Sequence, residues 1–144
     1  MKNLDLYLLA EAEGIEVHPY PMVENGSSTL MTSKGNCYIA MDHCALADSD
    51  TERMHLAHEL GHCMTGSFYN YHSKLDIREK HERRANVWAF KRVVPLETIR
   101  KCMKQGLTEP WQMEDMLDVP ARFIRQAMEY YASNCTSERG VFGG

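Results

Sequence analysis

Residues 57–62 read Ala57-His58-Glu59-Leu60-Gly61-His62, an HExxH pattern in a stretch of helical character. Histidines four apart leave a helix on one face, one turn apart. Both imidazoles can then meet one zinc ion at about 2.0–2.1 Å. Glu59 follows the first of them directly, so it lies beside such an ion, where a carboxylate can take a proton from water. Seven His and 13 Glu in 144 residues give about 0.03 chance occurrences of the pattern. The bland alternative is a solvated or core histidine pair. The flanks support a helix. Ser49-Asp50-Thr51-Glu52 fits a capping box with Ser49 as N-cap and Glu52 at N3. Gly66 stops the helix just past Met64.

A catalytic zinc needs a third protein ligand and an open position. The metzincin spacing would put Gly at position 65 and His at position 68, and the chain has Thr65 and Phe68. Four downstream candidates remain: His72, Asp76, His81 and Glu82. A helix that starts before Glu82 and ends before Pro95 carries Glu82, Ala85, Asn86, Ala89 and Val93 on one face. That face is small and apolar except for Glu82 and Asn86. A carboxylate there needs a partner, because burying it unpaired is costly. Zinc would be that partner, and Ala85, Ala89 and Gly61 would let the two helices approach closely. The spacing therefore favours Glu82 as third ligand, with His81 or His72 as alternatives and an ion pair with Arg78 or Lys80 as the non-metal reading. Asn86, one turn on, could accept the second ring N–H of a ligating histidine. Its plain alternative is helix packing.

The rest of the chain bounds the setting. With 44% hydrophobic and 25% charged residues it has ordinary globular composition, and its 144 residues suit one domain. Sixteen basic against 20 acidic residues give a net charge of −4, which argues against direct nucleic-acid binding. No apolar run approaches the ~20 residues of a membrane span. The N-terminal MKNLDLYLLAEAEG carries acids early and no long apolar block, unlike a signal peptide, so a cytoplasmic protein is expected. The five cysteines, Cys37, Cys44, Cys63, Cys102 and Cys135, are odd in number and form no CxxC. They read as reduced thiols, buried or idle.

Leu4, Leu8 and Ala12, with Leu9, suggest a first helix ending at Gly14. A short strand follows at Ile15–His18, stopped by Pro19 and Pro21. Ser27–Met31 and Asn36–Met41 flank a turn at Thr32–Gly35 and read as a hairpin. Gly66 to about Asp76 reads as a loop. From Leu96 to Tyr131 the pattern is helical, broken near Gly106 and Pro120. The order is a helix, a small sheet, then helices, which is α+β. Residues 1–132 read as a single domain and 133–144 as a flexible tail.

Two segments together resemble the ImmA/IrrE family of metallo-endopeptidases. They are Arg53-Met54-His55-Leu56-Ala57-His58-Glu59-Leu60-Gly61-His62 and Glu82-Arg83-Arg84-Ala85-Asn86-Val87-Trp88-Ala89-Phe90, the latter closed by Pro95. The resemblance covers roughly residues 1–132. It implies a compact zincin-like domain with a small β-sheet, the HExxH helix and additional C-terminal helices. It implies His58, His62 and Glu82 as zinc ligands and Glu59 as catalytic base. The His62 to Glu82 separation is also similar to that of thermolysin-like gluzincins, whose ExxxD helix has Asp where this chain has Asn86. An amide carries no charge, so the histidine it holds is less basic. Met54 stands where the family often has Phe. Members of the family cleave helix-turn-helix repressors of phages and integrative elements, so the resemblance implies such a repressor as protein partner.

The expected activity is zinc-dependent peptide hydrolysis with Glu59 as base. The alternative is a noncatalytic zinc-binding regulatory domain that binds or senses a repressor. Tyr69, Tyr71, His72 and His81 are candidates for stabilising the oxyanion. Cys37–Met41 reads as the strand nearest the site, where an edge would hold extended substrate by strand addition. The segment from Glu114 to Tyr131 has a helix-turn-helix outline, but Thr108–Ala132 holds five acids against two bases. That is a poor DNA surface, and a core-packing helical hairpin is expected.

Overall fold

In the computed structural model, residues 3–21, 24–46, 48–68 and 74–134 are described. Helix α1 (Asn3–Ala12) leads to strand β1 (Glu16–Pro19), a single 3-10 turn at Glu24–Gly26, and strands β2 (Ser27–Met31) and β3 (Cys37–Met41). Five helices follow: α2 (Ser49–Thr65), α3 (Leu75–Val93), α4 (Leu96–Lys104), α5 (Pro110–Leu117) and α6 (Ala121–Asn134). The α+β reading therefore holds. None of the described helices is long and apolar enough to cross a membrane.

The sheet has the order β1-β3-β2, with β1 parallel and β2 antiparallel to β3. The hairpin expected from Thr32–Gly35 is present. Its consequence for the site differs from expectation. Cys37–Met41 is the central strand, because β1 pairs along its other side. The edge that packs on α2 is β2. Local alternation identifies strands but does not say which of them gains a second partner. On β3, Cys37, Ile39 and Met41 are buried on one face beneath the helices.

The expected first helix is present as α1, and the N-cap expectation for α2 is corrected. The buried face of α1 is Leu6 and Ala10, while Leu4 and Leu8 are exposed. Leu6 and Ala10 are also one turn apart, so periodicity alone did not choose between the two stripes. The N-cap of α2 is Asp48, not Ser49: its carboxylate accepts from the Thr51 backbone N–H at 3.2 Å and from Thr51 Oγ1 at 2.9 Å. Glu52 is thus released from a capping role and accepts the Tyr7 hydroxyl at 2.7 Å, tying α1 to α2. Gly66 ends α2 as expected, in the left-handed conformation at φ 64°.

The cysteine reading is also corrected. Cys37 on β3 and Cys63 on α2 are joined in a disulfide, with Cα atoms 6.0 Å apart. Pairs made through space leave no mark in sequence spacing. Cys44 is exposed and Cys102 buried, both as free thiols, and Cys135 lies outside the described residues.

Helices α2 and α3 cross at Gly61. A Cβ built there would meet the Ala85 backbone, with its Cα at 2.9 Å and its carbonyl oxygen nearer still. In an open helix, Gly→Ala stabilises by about 0.5–1 kcal/mol. Here the colliding atoms are backbone and cannot rotate aside, so overpacking at about 1–3 kcal/mol decides the sign. Gly61→Ala is expected to lower the urea midpoint, and an unchanged or raised midpoint would show that the helices can part. Further on, Met113, Leu117, Phe123, Ile124 and Ala127 are buried, so α5 and α6 spend their apolar faces on the core as a packing hairpin. Tyr131 donates its hydroxyl to the Val94 carbonyl at 3.0 Å, which fastens α6 beside the end of α3. Helix α6 runs two residues past the expected domain end at 132, and the rest of the expected tail, 135–144, lies outside the described residues.

Candidate metal centre

His58 and His62 leave α2 on the face that meets α3, and Glu82 comes from α3. The three side chains offer ligand atoms that all lie within 4.8 Å of one another. His58 Nε2 is 2.8 Å from one Glu82 oxygen, and His62 Nε2 is 3.1 Å from the other. The close crossing at Gly61 and Ala85 brings a carboxylate from a separate helix this near. Glu82 is about one-third exposed and His62 only 7%, so the cluster opens to solvent on the Glu82 side.

The opposite ring nitrogens fix the orientation. His62 Nδ1 lies 2.6 Å from the Ser67 carbonyl. A carbonyl only accepts, so Nδ1 carries a proton, and in the neutral ring Nε2 then holds the lone pair. His58 Nδ1 lies 2.7 Å from Asn86 Oδ1, which sets the same tautomer. Two ring lone pairs therefore point at a carboxylate. Three acceptors facing one another repel unless a cation lies among them. A tetrahedral ion at about 2.1 Å from each donor places donors roughly 3.4 Å apart. The two contacts to Glu82 fall short of that by about 0.6 and 0.3 Å, so a small opening of these two pairs brings them to ligating distance, and the group can hold a metal ion. A proton on one of the rings would serve in the same way. Burial works against charge on His58, but the Glu82 carboxylate, the nearby Glu59 charge and Asn86 together hold its pKa above the ordinary 6.5.

Asn86 thus stands where the helix face placed it. We expect Asn86→Ala to weaken metal binding about 10–100-fold while leaving the fold intact, because it frees the His58 ring to turn. Competition against a chromophoric chelator measures this, and an unchanged constant would reduce Asn86 to packing.

Glu59 is 5% exposed and turned toward β2. One carboxylate oxygen accepts the Ser27 hydroxyl at 2.8 Å and the other the Thr29 hydroxyl at 2.8 Å. Ser27 Oγ also lies 2.7 Å from His55 Nδ1. Burial lowers the proton affinity of His55, against the pull of the Glu59 carboxylate. Of the other candidate ligands, Asp76 and His81 are not in the cluster, and His72 lies outside the described residues, as do Tyr69 and Tyr71. Sequence reasoning passed over Ser27, Thr29, His55 and Ser67. The run of hydroxyl residues Ser27-Ser28-Thr29 on an expected strand, which puts Ser27 and Thr29 on one face, was a usable signal. Ser67 acts through its backbone and gave none.

Beside the cluster, a groove of about 660 Å³ runs between α3 and α6. Glu82 and Asn86 stand in its wall, and Val87, Phe90 and Tyr130 give it an apolar lining. The chain matches no family model, no curated protein and no solved structure.

Proposed function

We propose that this chain is a zinc-dependent endopeptidase that hydrolyses a peptide bond in a protein substrate. The observation that carries the reading is the convergence of His58, His62 and Glu82 with Glu59 on the same helix as the two histidines. Two imidazoles and one carboxylate form a set that zinc takes with one position left open. The similarity of the two helix motifs to the ImmA/IrrE family supports the same reading and suggests a helix-turn-helix repressor as substrate. Such a substrate would place the activity in the cytoplasm.

His58, His62 and Glu82 would hold the metal, which when bound supplies Lewis acidity toward water and the scissile carbonyl. Glu59 accepts a proton from the attacking water as the C–O bond forms. It then returns that proton to the amide nitrogen as the C–N bond breaks, giving a carboxylic acid and an amine. Asn86 and Ser67 keep both rings turned for ligation throughout. Strand β2, the sheet edge against α2, offers its outer side to an extended peptide, and the groove along α3 offers room for an apolar side chain.

One observation favours the noncatalytic reading, a zinc domain that binds or senses a repressor. Both Glu59 oxygens already accept hydroxyl bonds, an arrangement that also suits a purely structural carboxylate. Metal content and cleavage of a co-expressed repressor, compared between wild type and Glu59→Gln, distinguish the two.

A further inference from the structure

Ser27 and Thr29 are two apart on β2, so their side chains share the face turned to α2. Each gives a hydroxyl to a different oxygen of the buried Glu59 carboxylate. The directions of these bonds follow from proton counting. A serine hydroxyl has one proton, and Ser27 spends it on Glu59. The 2.7 Å contact to His55 must therefore run the other way, with His55 Nδ1–H donating to Ser27 Oγ. The chain His55 → Ser27 → Glu59 is polarised toward the carboxylate, and Thr29 closes on its other oxygen. A carboxylate with one donor can swing about its last torsion, whereas one gripped at both oxygens cannot.

We infer that Ser27 and Thr29 are positioning residues that clamp the Glu59 carboxylate in the plane from which it meets a metal-activated water, with His55 fixing the direction of the Ser27 hydroxyl. The inference rests on the peptidase reading of Glu59. It gives the edge strand a task beyond holding peptide, because its register aims the base. A slip of one residue would put Ser28 and Leu30 on that face, leaving one hydroxyl where the clamp uses two.

The test needs no substrate. Acetohydroxamic acid chelates a zinc-site metal through two oxygens and passes its proton to an adjacent carboxylate. Its binding to the cobalt-substituted full chain can be followed by visible absorption. Ser27→Ala and Thr29→Val are each expected to weaken it about tenfold, the scale of one hydrogen bond to a charged group, with zinc affinity unchanged within about twofold. Ser27→Thr and Thr29→Ser keep a hydroxyl and should restore most of the affinity. Glu59→Gln should weaken binding as well, and adding Thr29→Val to it should cost little more. If Glu59→Gln weakens acetohydroxamate but neither hydroxyl deletion does, the clamp is overturned and the peptidase reading stands. If Glu59→Gln itself binds as wild type, the carboxylate does not face the metal, and the peptidase reading falls first. Urea unfolding of the metal-free chain gives a second readout that remains valid where a deletion destabilises the fold. A Thr29→Val and Glu59→Leu cycle, in which each single change removes the bond, should be non-additive, and strict additivity would overturn the clamp.

Discussion

Glu59→Gln is expected to retain about one zinc per chain and to lose repressor cleavage by a factor of about 10²–10⁴. The amide is nearly isosteric with the carboxylate, and Glu59 is not one of the three clustered ligand residues. What it lacks is the ability to accept a proton from water. The buried surroundings should tolerate the change. The amide oxygen can keep one hydroxyl bond, and its NH₂ group can donate to the other hydroxyl once that rotates. The assay co-expresses the chain with a candidate helix-turn-helix repressor and follows the repressor by immunoblot, with His58→Ala as metal-free control. If wild type lowers the repressor and Glu59→Gln does so equally well, hydrolysis is not the mechanism. A binding role then takes first place.

His62→Ala and Glu82→Ala are expected to purify with essentially no zinc, against about one ion per chain for wild type. Each removes one of the three side chains that could hold the ion, and a site left with two would lose most of its affinity. His62→Ala also deletes the bond to the Ser67 carbonyl just after the end of α2, so it should be the less stable of the two. Elemental analysis after gentle purification decides the matter. Equal metal in wild type and both variants would remove the cluster as the binding site. The wild-type melting temperature should fall on treatment with chelator and recover with added zinc, because an ion bound only to the folded state stabilises it by mass action. Neither variant should respond.

The site was legible to the extent that it lies on helices. His58 and His62 are fixed by a four-residue spacing, and Glu82 and Asn86 by another, so local periodicity carried them. The lone carboxylate on a small apolar face was the sign that α3 meets α2, and Gly61 against Ala85 is that meeting. What was not legible depends on contacts between distant segments. The pairing of β1 along β3 moved the sheet edge from Cys37–Met41 to Ser27–Met31. With the edge came Ser27 and Thr29, which no spacing relates to Glu59. The stripe of α1 and the partner of Cys63 were hidden for the same reason: each is chosen by what packs across from it. The cap of α2 was missed by one residue because Asp48 and Ser49 are both good N-caps, and the side chain that reaches Thr51 decides between them.

The Cys37–Cys63 bond closes a covalent loop on which His58, Glu59 and His62 all lie. A metal ion shared by His62 and Glu82 would close a second loop, and the two would meet at adjacent residues, 62 and 63. The segment from Cys37 to Glu82 is then a figure of eight, cross-linked by sulfur on one side and by an ion on the other. With a sequence separation of 26, the sulfur link alone reduces the entropy of the unfolded chain by about 3.5 kcal/mol in the loop-closure account. A backbone cut anywhere inside that first loop would leave the two fragments tethered, with both histidines still held to the sheet. The oxidised chain is therefore tied together around its candidate metal site by topology as well as by packing, and the reduced chain by packing and whatever ion the site holds.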